Sequence, residues 1–282
     1  MRQQGHTLLE LLIALTLALF LSSVLIEIFV QCKKTYYLIQ RLNAVQTSVR
    51  IAFNGLSRDI RMAGLIGCVR LINFFPLNTQ LTPDNSLLVW QAGFATTHSD
   101  LPYLPEAKPH SDIILIQFLD PDTRSVKFAQ GGTISLVGES PFHSQDKCLI
   151  SDCQHAEAFQ WGQFNLQHRY QRDSEVGFLN KIVYYIGNTG RLNHKGNAIF
   201  ALYRRNLNRS AHNPIELVEG IEKMSVRLGV RNTANGRLLY MHPQPIKKWS
   251  DVRSVEITLV LQDKKSLGSE WTHVVGLRER GI

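Results

Sequence analysis

One stretch near the N-terminus constrains this chain more than anything after it. Residues Leu8–Val30 are apolar or small except for Glu10 and Glu27, and Leu11–Ile26 carries no charge at all. A helix over Leu8–Val30 extends about 35 Å at ~1.5 Å per residue, enough to cross a hydrocarbon core of about 30 Å. A secretory signal would end its apolar region after roughly 7–15 residues at a small-residue cleavage site. Here the helical pattern continues past Ser22-Ser23, and Phe29-Val30-Gln31 ahead of Cys32 lacks the small residues of a lipoprotein site. Arg2 precedes the span while Lys33 and Lys34 follow it, so basic residues alone do not orient it. No later stretch is comparably long and apolar, which excludes a multi-span membrane protein.

Beyond the span, Leu38, Leu42, Val45, Val49, Phe53, Leu56 and Ile60 recur at helical spacing and predict one amphipathic helix continuing to Ala63-Gly64. Glycine there is a C-terminal stop signal. From about residue 87 the texture changes to short apolar runs broken by Gly, Asn, Pro and Asp. The predicted strands are Leu87–Gln91, Asp112–Leu119, Thr133–Val137, Lys147–Ser151, Lys181–Ile186, Ile199–Arg204, Lys223–Val230, Arg237–Met241, Val252–Leu261 and Trp271–Leu277. Asn235-Gly236 is a hairpin signal between two of them. The segments 76–86, 93–111 and 139–146 read as loops. The expected fold is therefore α+β: a long N-terminal helix packed on an antiparallel, β-sheet-rich head. With 44% hydrophobic residues and no compositionally extreme tract, wholesale disorder is excluded.

Signatures of catalysis are missing: no Walker A loop, nucleophile elbow, zinc-protease helix or dinucleotide fingerprint occurs. The chain therefore reads as a non-enzyme without cofactor. Asp120-Pro121-Asp122-Thr123 has too few carboxylates to hold calcium and reads as a polar turn. Cys148, Cys153, His155 and Glu157 fit no established zinc spacing, so no metal site is expected. The formal charge is +8. Its excess concentrates after the span, in Lys33, Lys34, Arg41, Arg50, Arg58 and Arg61 against Asp59, where lipid phosphates and neighbouring helices are ready partners. Arg204-Arg205 and Lys247-Lys248-Trp249 are small basic spots on a solvated face, and no nucleic-acid partner is expected.

A carboxylate at the start of a membrane helix is a functional feature by default. Glu10 stands five residues beyond Gly5, which closes a polar leader containing one arginine. This arrangement resembles the leader of type IV prepilins and type II secretion pseudopilins. The resemblance implies cleavage between Gly5 and His6 by a membrane prepilin peptidase. It also implies that Glu10 pairs with the new N-terminal amine of a neighbouring subunit. Paired, two buried charges are tolerable; either alone is penalised. His6 stands where the family usually has Phe, the residue that becomes N-methylated. Met62-Ala63-Gly64-Leu65-Ile66-Gly67-Cys68, Asp152-Cys153 with Ala156 and Phe159, Leu217–Met224, and Trp249-Ser250-Asp251-Val252-Arg253 are similar to stretches of PilW-type minor pilins, in the same order. The related GspJ pseudopilins share the N-terminal logic but are usually shorter.

The resemblance implies a leader at 1–5, a pilin helix at 6–64 and a head at 65–282. The helix would be transmembrane over about 8–30 and an amphipathic stalk over about 31–64. It implies a single-pass protein of the bacterial inner membrane, head in the periplasm, later at a pilus tip. It would be part of the priming complex that initiates the fibre, with a GspJ-like pseudopilin as the alternative. The implied partners are other minor pilins and the major pilin through the helix, the prepilin peptidase and a tip adhesin.

Three of the four cysteines, Cys68, Cys148 and Cys153, would then lie in an oxidising compartment, while Cys32 sits at the membrane exit. The resemblance pairs Cys68 with Cys153; local proximity favours Cys148 with Cys153. From the Glu10 pairing, Glu10→Ala should still be processed yet fail to enter pili. Immunoblots of sheared fibres test this, and wild-type amounts of the variant there would overturn the mechanism.

Overall fold

The structure is a computed structural model that describes residues 8–67, 94–95, 107–163, 165–193, 195–208, 214–232, 235–243, 251–262 and 270–277. Helix α1 runs from Leu8 to Met62. It stops where the sequence places the stop: Gly64 takes a left-handed φ of 73°, and Leu65 N donates to Met62 O. The exit then docks on a strand, with Gly64 N donating to Gln117 O and Leu119 N donating to Leu65 O.

Fourteen described strands follow. They are β1 (Phe94–Ala95), β2 (Ile114–Leu119), β3 (Arg124–Gly131), β4 (Thr133–Leu136), β5 (Lys147–Ser151), β6 (Ala156–Gln160) and β7 (Leu166–Tyr170). Then come β8 (Glu175–Leu192), β9 (Ala198–Asn206), β10 (Ile215–Glu219), β11 (Ile221–Arg231), β12 (Leu238–Met241), β13 (Val252–Leu261) and β14 (Glu270–Gly276). All named pairs are antiparallel. The expected α+β architecture of a long apolar helix and an antiparallel β-rich domain is what the chain adopts.

Strand β8 organises the larger, branched sheet. Its first residues pair with β3 and β5, and its middle and end pair with β2 and β9. Ile182, Val183, Tyr184, Tyr185 and Ile186 are all essentially buried. A run buried on both faces reads as continuously apolar rather than alternating. That is why the expected strand Lys181–Ile186 captured only its middle. The second sheet has the order β12-β11-β13-β14. Asn235-Gly236 lies in the β11–β12 connection, with Gly236 at a φ of 69°.

A strap at 107–112 fastens the two sheets to each other. Ala107 bridges Gly187 of β8, Asp112 N donates to Met224 O of β11, and the Asp112 carboxylate accepts Val226 N. Lys108 Nζ donates to Glu222 O.

Several strands have no counterpart in the sequence reading. β6 is Ala-Glu-Ala-Phe-Gln, β3 carries Lys, Gln and Gly, and β7 and β10 are short and charged. Such segments lack sustained β-branched alternation, and it is pairing with neighbouring strands that makes them part of the sheet. Phe94–Ala95 forms the two-residue β1 inside a segment expected to be loop. The predicted strand Leu87–Gln91 and loop 76–86 lie outside the described residues.

The predicted helical stripe divides in use. Val49, Phe53, Leu56 and Ile60 are buried, as is Ala52 beside them, while Leu38 is exposed. Compactness divides the chain accordingly into Met1–Ser48 and Val49–Ile282. Within the second unit the last turns of α1 lie on the head, Phe53 stacking near His273 of β14 with ring centroids 5.0 Å apart. Between Leu56 and Ile60, Asp59 is buried as well. Its Oδ2 accepts the Tyr184 hydroxyl at 2.7 Å and Arg204 Nε at 2.8 Å. Burial, then the Asp59 charge, push the Tyr184 hydroxyl far above its ordinary pKa, so it remains a donor. Burial works to lower the Arg204 pKa, but the Asp59 hydrogen bond and charge outweigh it and the guanidinium stays charged.

Asp59→Ala strands both donors. Removing one member of a buried pair costs about 3–5 kcal/mol, and partial exposure of Arg204 reduces that to about 2–3 kcal/mol. Chemical denaturation of the detergent-solubilised chain measures the loss. Asp59→Leu combined with Tyr184→Phe and Arg204→Met should recover most of it, because neither donor is then left without an acceptor; an equal loss in the triple variant would show that pairing is not what the site supplies.

Candidate functional site

The first feature with functional content is the surface of α1 itself. Every described side chain in Leu8–Gln40 is exposed, including Leu8, Leu12, Phe20 and Phe29. This helix is long and apolar enough to cross a membrane, by length and composition. Its polar groups are handled internally: the Thr16 hydroxyl donates to Ile13 O and the Ser23 hydroxyl to Phe20 O. Such back-bonding lets a hydroxyl sit in an apolar medium without an unsatisfied donor. Glu10 is the acidic residue in the first turn of α1, the end where the helix dipole favours a negative charge. Gly5 and His6 lie outside the described residues.

A second feature is the chain leaving the helix. Gly67 has a φ of 83°, and a Cβ there would come within 2.7 Å of Ser151 Oγ and 2.8 Å of Glu175 Oε1. Only glycine fits, so this segment is pressed against the end of β5 and the start of β8. Cys153 follows Ser151 by two residues and is disulfide-bonded, whereas Cys148 is a free, buried thiol. The short Cys148–Cys153 bridge is therefore not formed. Neighbouring residues in the sequence do not suffice here: Cys148 is committed to the core with Phe142, Phe159 and Val176. Burial, with the Asp146 charge added, raises its pKa well beyond the ordinary thiol range, which makes it inert. Cys32 is free and exposed, and Cys68 lies outside the described residues.

The loop after β2 behaves as the polar turn expected of it. Asp120 Oδ1 accepts Asp122 N, its Oδ2 accepts Asn180 Nδ2, and Asp122 pairs with Arg124. Both carboxylates are thus used within the fold. Of the basic spots, Arg204 is engaged by Asp59. Lys247-Lys248-Trp249 lies outside the described residues.

One cluster was not singled out from sequence as a set. Asp152, His155 and His168 bring donor atoms within 4.8 Å of one another. The turn between β5 and β6 supplies the first two residues, with Asp152 Oδ1 accepting the backbone N–H groups of Gln154 and His155. Strand β7 supplies the third. Asp152 Oδ2 is 3.4 Å from His168 Nε2, and Asp152 Oδ1 is 3.7 Å from His155 Nδ1. Of the four side chains weighed in the sequence as a zinc mimic, only His155 belongs to this group. Cys148 is buried, Cys153 is bonded, and Glu157 faces elsewhere: it accepts Gln167 N, His168 N and the Tyr170 hydroxyl. The signal available in advance was an Asx-type turn, Asp-x-x-His, between two strands; the missing part was β7.

Comparison with known families adds two matches. Residues 183–274 match the family described as type IV pilus-assembly protein W, PilW, and residues 1–26 match the prokaryotic N-terminal methylation motif. The first match begins within β8 and ends within β14; the second ends within α1. Both are consistent with a PilW-type minor pilin, and together they support a pilin role and a structural rather than catalytic protein. Comparison with curated proteins and with solved structures yields no significant match.

Proposed function

We propose that this protein is a minor pilin of a type IV pilus, acting in the inner-membrane complex that initiates the fibre and remaining at or near its tip. The observation that carries this reading is the division of α1. Its last turns are buried in the head, whereas its apolar first part is exposed among the described residues. A surface of that kind needs lipid, then the helices of other subunits. The matched motif at the N-terminus supports the same sequence of events.

In this reading the prepilin peptidase cuts between Gly5 and His6, and the helix waits in the inner membrane with the head in the periplasm. Glu10 then sets axial register by pairing with the N-terminal amine of an adjacent minor or major pilin. A tip position suits a head of two sheets, one built on β8 and one of order β12-β11-β13-β14, because a shaft subunit would have to bury that surface in every repeat. Cys68 is the partner proposed for Cys153. The close approach of Gly67 to Ser151 supports that bridge, because Cys68 and Cys153 each lie one or two residues from that contact. A crosslink across a long loop stabilises by about 2–4 kcal/mol. It would tie the helix exit to the β5–β6 hairpin.

Deletion of the gene should remove major pilin from sheared surface fractions while type II secretion continues. Normal piliation with impaired secretion would overturn the pilus assignment and leave a GspJ-like pseudopilin. Non-reducing peptide mapping of the purified chain should recover one crosslinked species joining Cys68 to Cys153; any other partner for Cys153 would refute the bridge.

A further inference from the structure

We propose that Asp152, His155 and His168 form a binding site for a divalent transition-metal ion, outside the PilW-matched segment and independent of the helix. Two imidazoles and one carboxylate are a donor set of borderline softness, suited to zinc, nickel or copper rather than to calcium or magnesium, which take oxygen ligands in larger number. In a tetrahedral zinc site with bonds of about 2.0–2.1 Å, neighbouring donors stand about 3.3 Å apart. The separation of 3.4 Å between Asp152 Oδ2 and His168 Nε2 already matches that edge. His155 Nδ1 lies 3.7 Å from Asp152 Oδ1, and one donor atom from each of the three residues lies within 4.8 Å of the others, so a turn of the His155 ring is what a third position requires. The side chains are between 20% and 37% exposed, so an ion can reach them from solvent.

The supporting residues hold these donors in place. The Asx turn fixes the Asp152 carboxylate, whose Oδ1 is occupied by two backbone N–H groups while Oδ2 faces His168. The buried Glu157 carboxylate accepts His168 N and Gln167 N, and so holds the strand that carries His168. The imidazoles of His155 and His168 stack with centroids 3.7 Å apart and planes 23° from parallel, so an ion has to splay the two rings until their in-plane lone pairs converge on it. Ligands whose backbones are fixed by neighbouring carboxylates and turns are the arrangement metal sites use.

The ion would brace β7 to the β5–β6 turn. The ladder of β7 runs to β3, and its tie to β6 is the Glu157 side chain, so a metal crosslink adds a connection the described backbone ladders do not supply. Three protein ligands also leave a coordination position open, to water or to a carboxylate or imidazole of a neighbouring pilus subunit.

The test uses the full chain in detergent, stripped with a chelator and titrated with zinc alone. The expected result is saturable binding with one ion lost in H155Q/H168Q, and an affinity at least about 100-fold lower in H168Q. Zinc should raise the melting midpoint of the wild type and leave that of the double variant unchanged. Cobalt substitution gives an independent signature: intense visible d–d absorption in the wild type that H168Q removes. Equal melting midpoints of the chelated proteins show that the variants fold. Zinc binding unchanged in H155Q/H168Q, or no saturable binding to the wild type, would overturn the proposal, and neither outcome bears on the pilin assignment.

Discussion

A single carboxylate joins the helix to the sheet. Asp59 is a charged position on the buried face of α1, and it accepts donors from β8 and β9 at once. Burying a charge costs several kcal/mol, and its partners largely offset rather than exceed that cost. What the arrangement supplies is geometry. Rotating α1 by one residue turns the carboxylate by about 100° and leaves Tyr184 and Arg204 without an acceptor. The apolar neighbours Leu56 and Ile60 would tolerate several rotations; Asp59 tolerates one. Because β8 is also the strand on which the larger sheet is assembled, the helix, the sheet and the 107–112 strap to β11 share one register.

Within residues 49–282 that register has further support. The buried last turns of α1 hold one rotation on the head. Ion pairing between Asp59 and Arg204, the Phe53–His273 contact and the Gly64 exit onto β2 fix that rotation from three directions. The last turns of α1 are therefore part of the head in packing terms, although they are continuous in sequence with the span.

The region between residues 147 and 170 uses its polar groups differently. Cys148 is spent on core packing, Cys153 on a disulfide, Glu157 on holding β7, and Asp152 on a turn that faces two imidazoles. Each role depends on which neighbours the strands deliver. Tyr170, pushed up in pKa by burial and by Glu157, remains a hydroxyl donor to that carboxylate and completes its hydrogen bonding.

By itself, the sequence determined the features that depend on local chemistry. The apolar run at 8–30, the stripe from Leu38 to Ile60, the glycine stop at Gly64 and the alternation of 252–261 each follow from neighbours along the chain, through helical or strand periodicity. Tertiary structure decided what depends on residues distant in sequence. It made β6 and β7 strands against weak propensity, because pairing with β5 and with β3 and burial of their apolar side chains outweigh intrinsic preference. It chose the core for Cys148 over a nearby partner. It carried His168 across the chain to Asp152 and His155, and gave Asp59 two partners more than a hundred residues away. Periodicity is written locally, whereas pairing across a sheet is set by topology, and no spacing in one sequence encodes it.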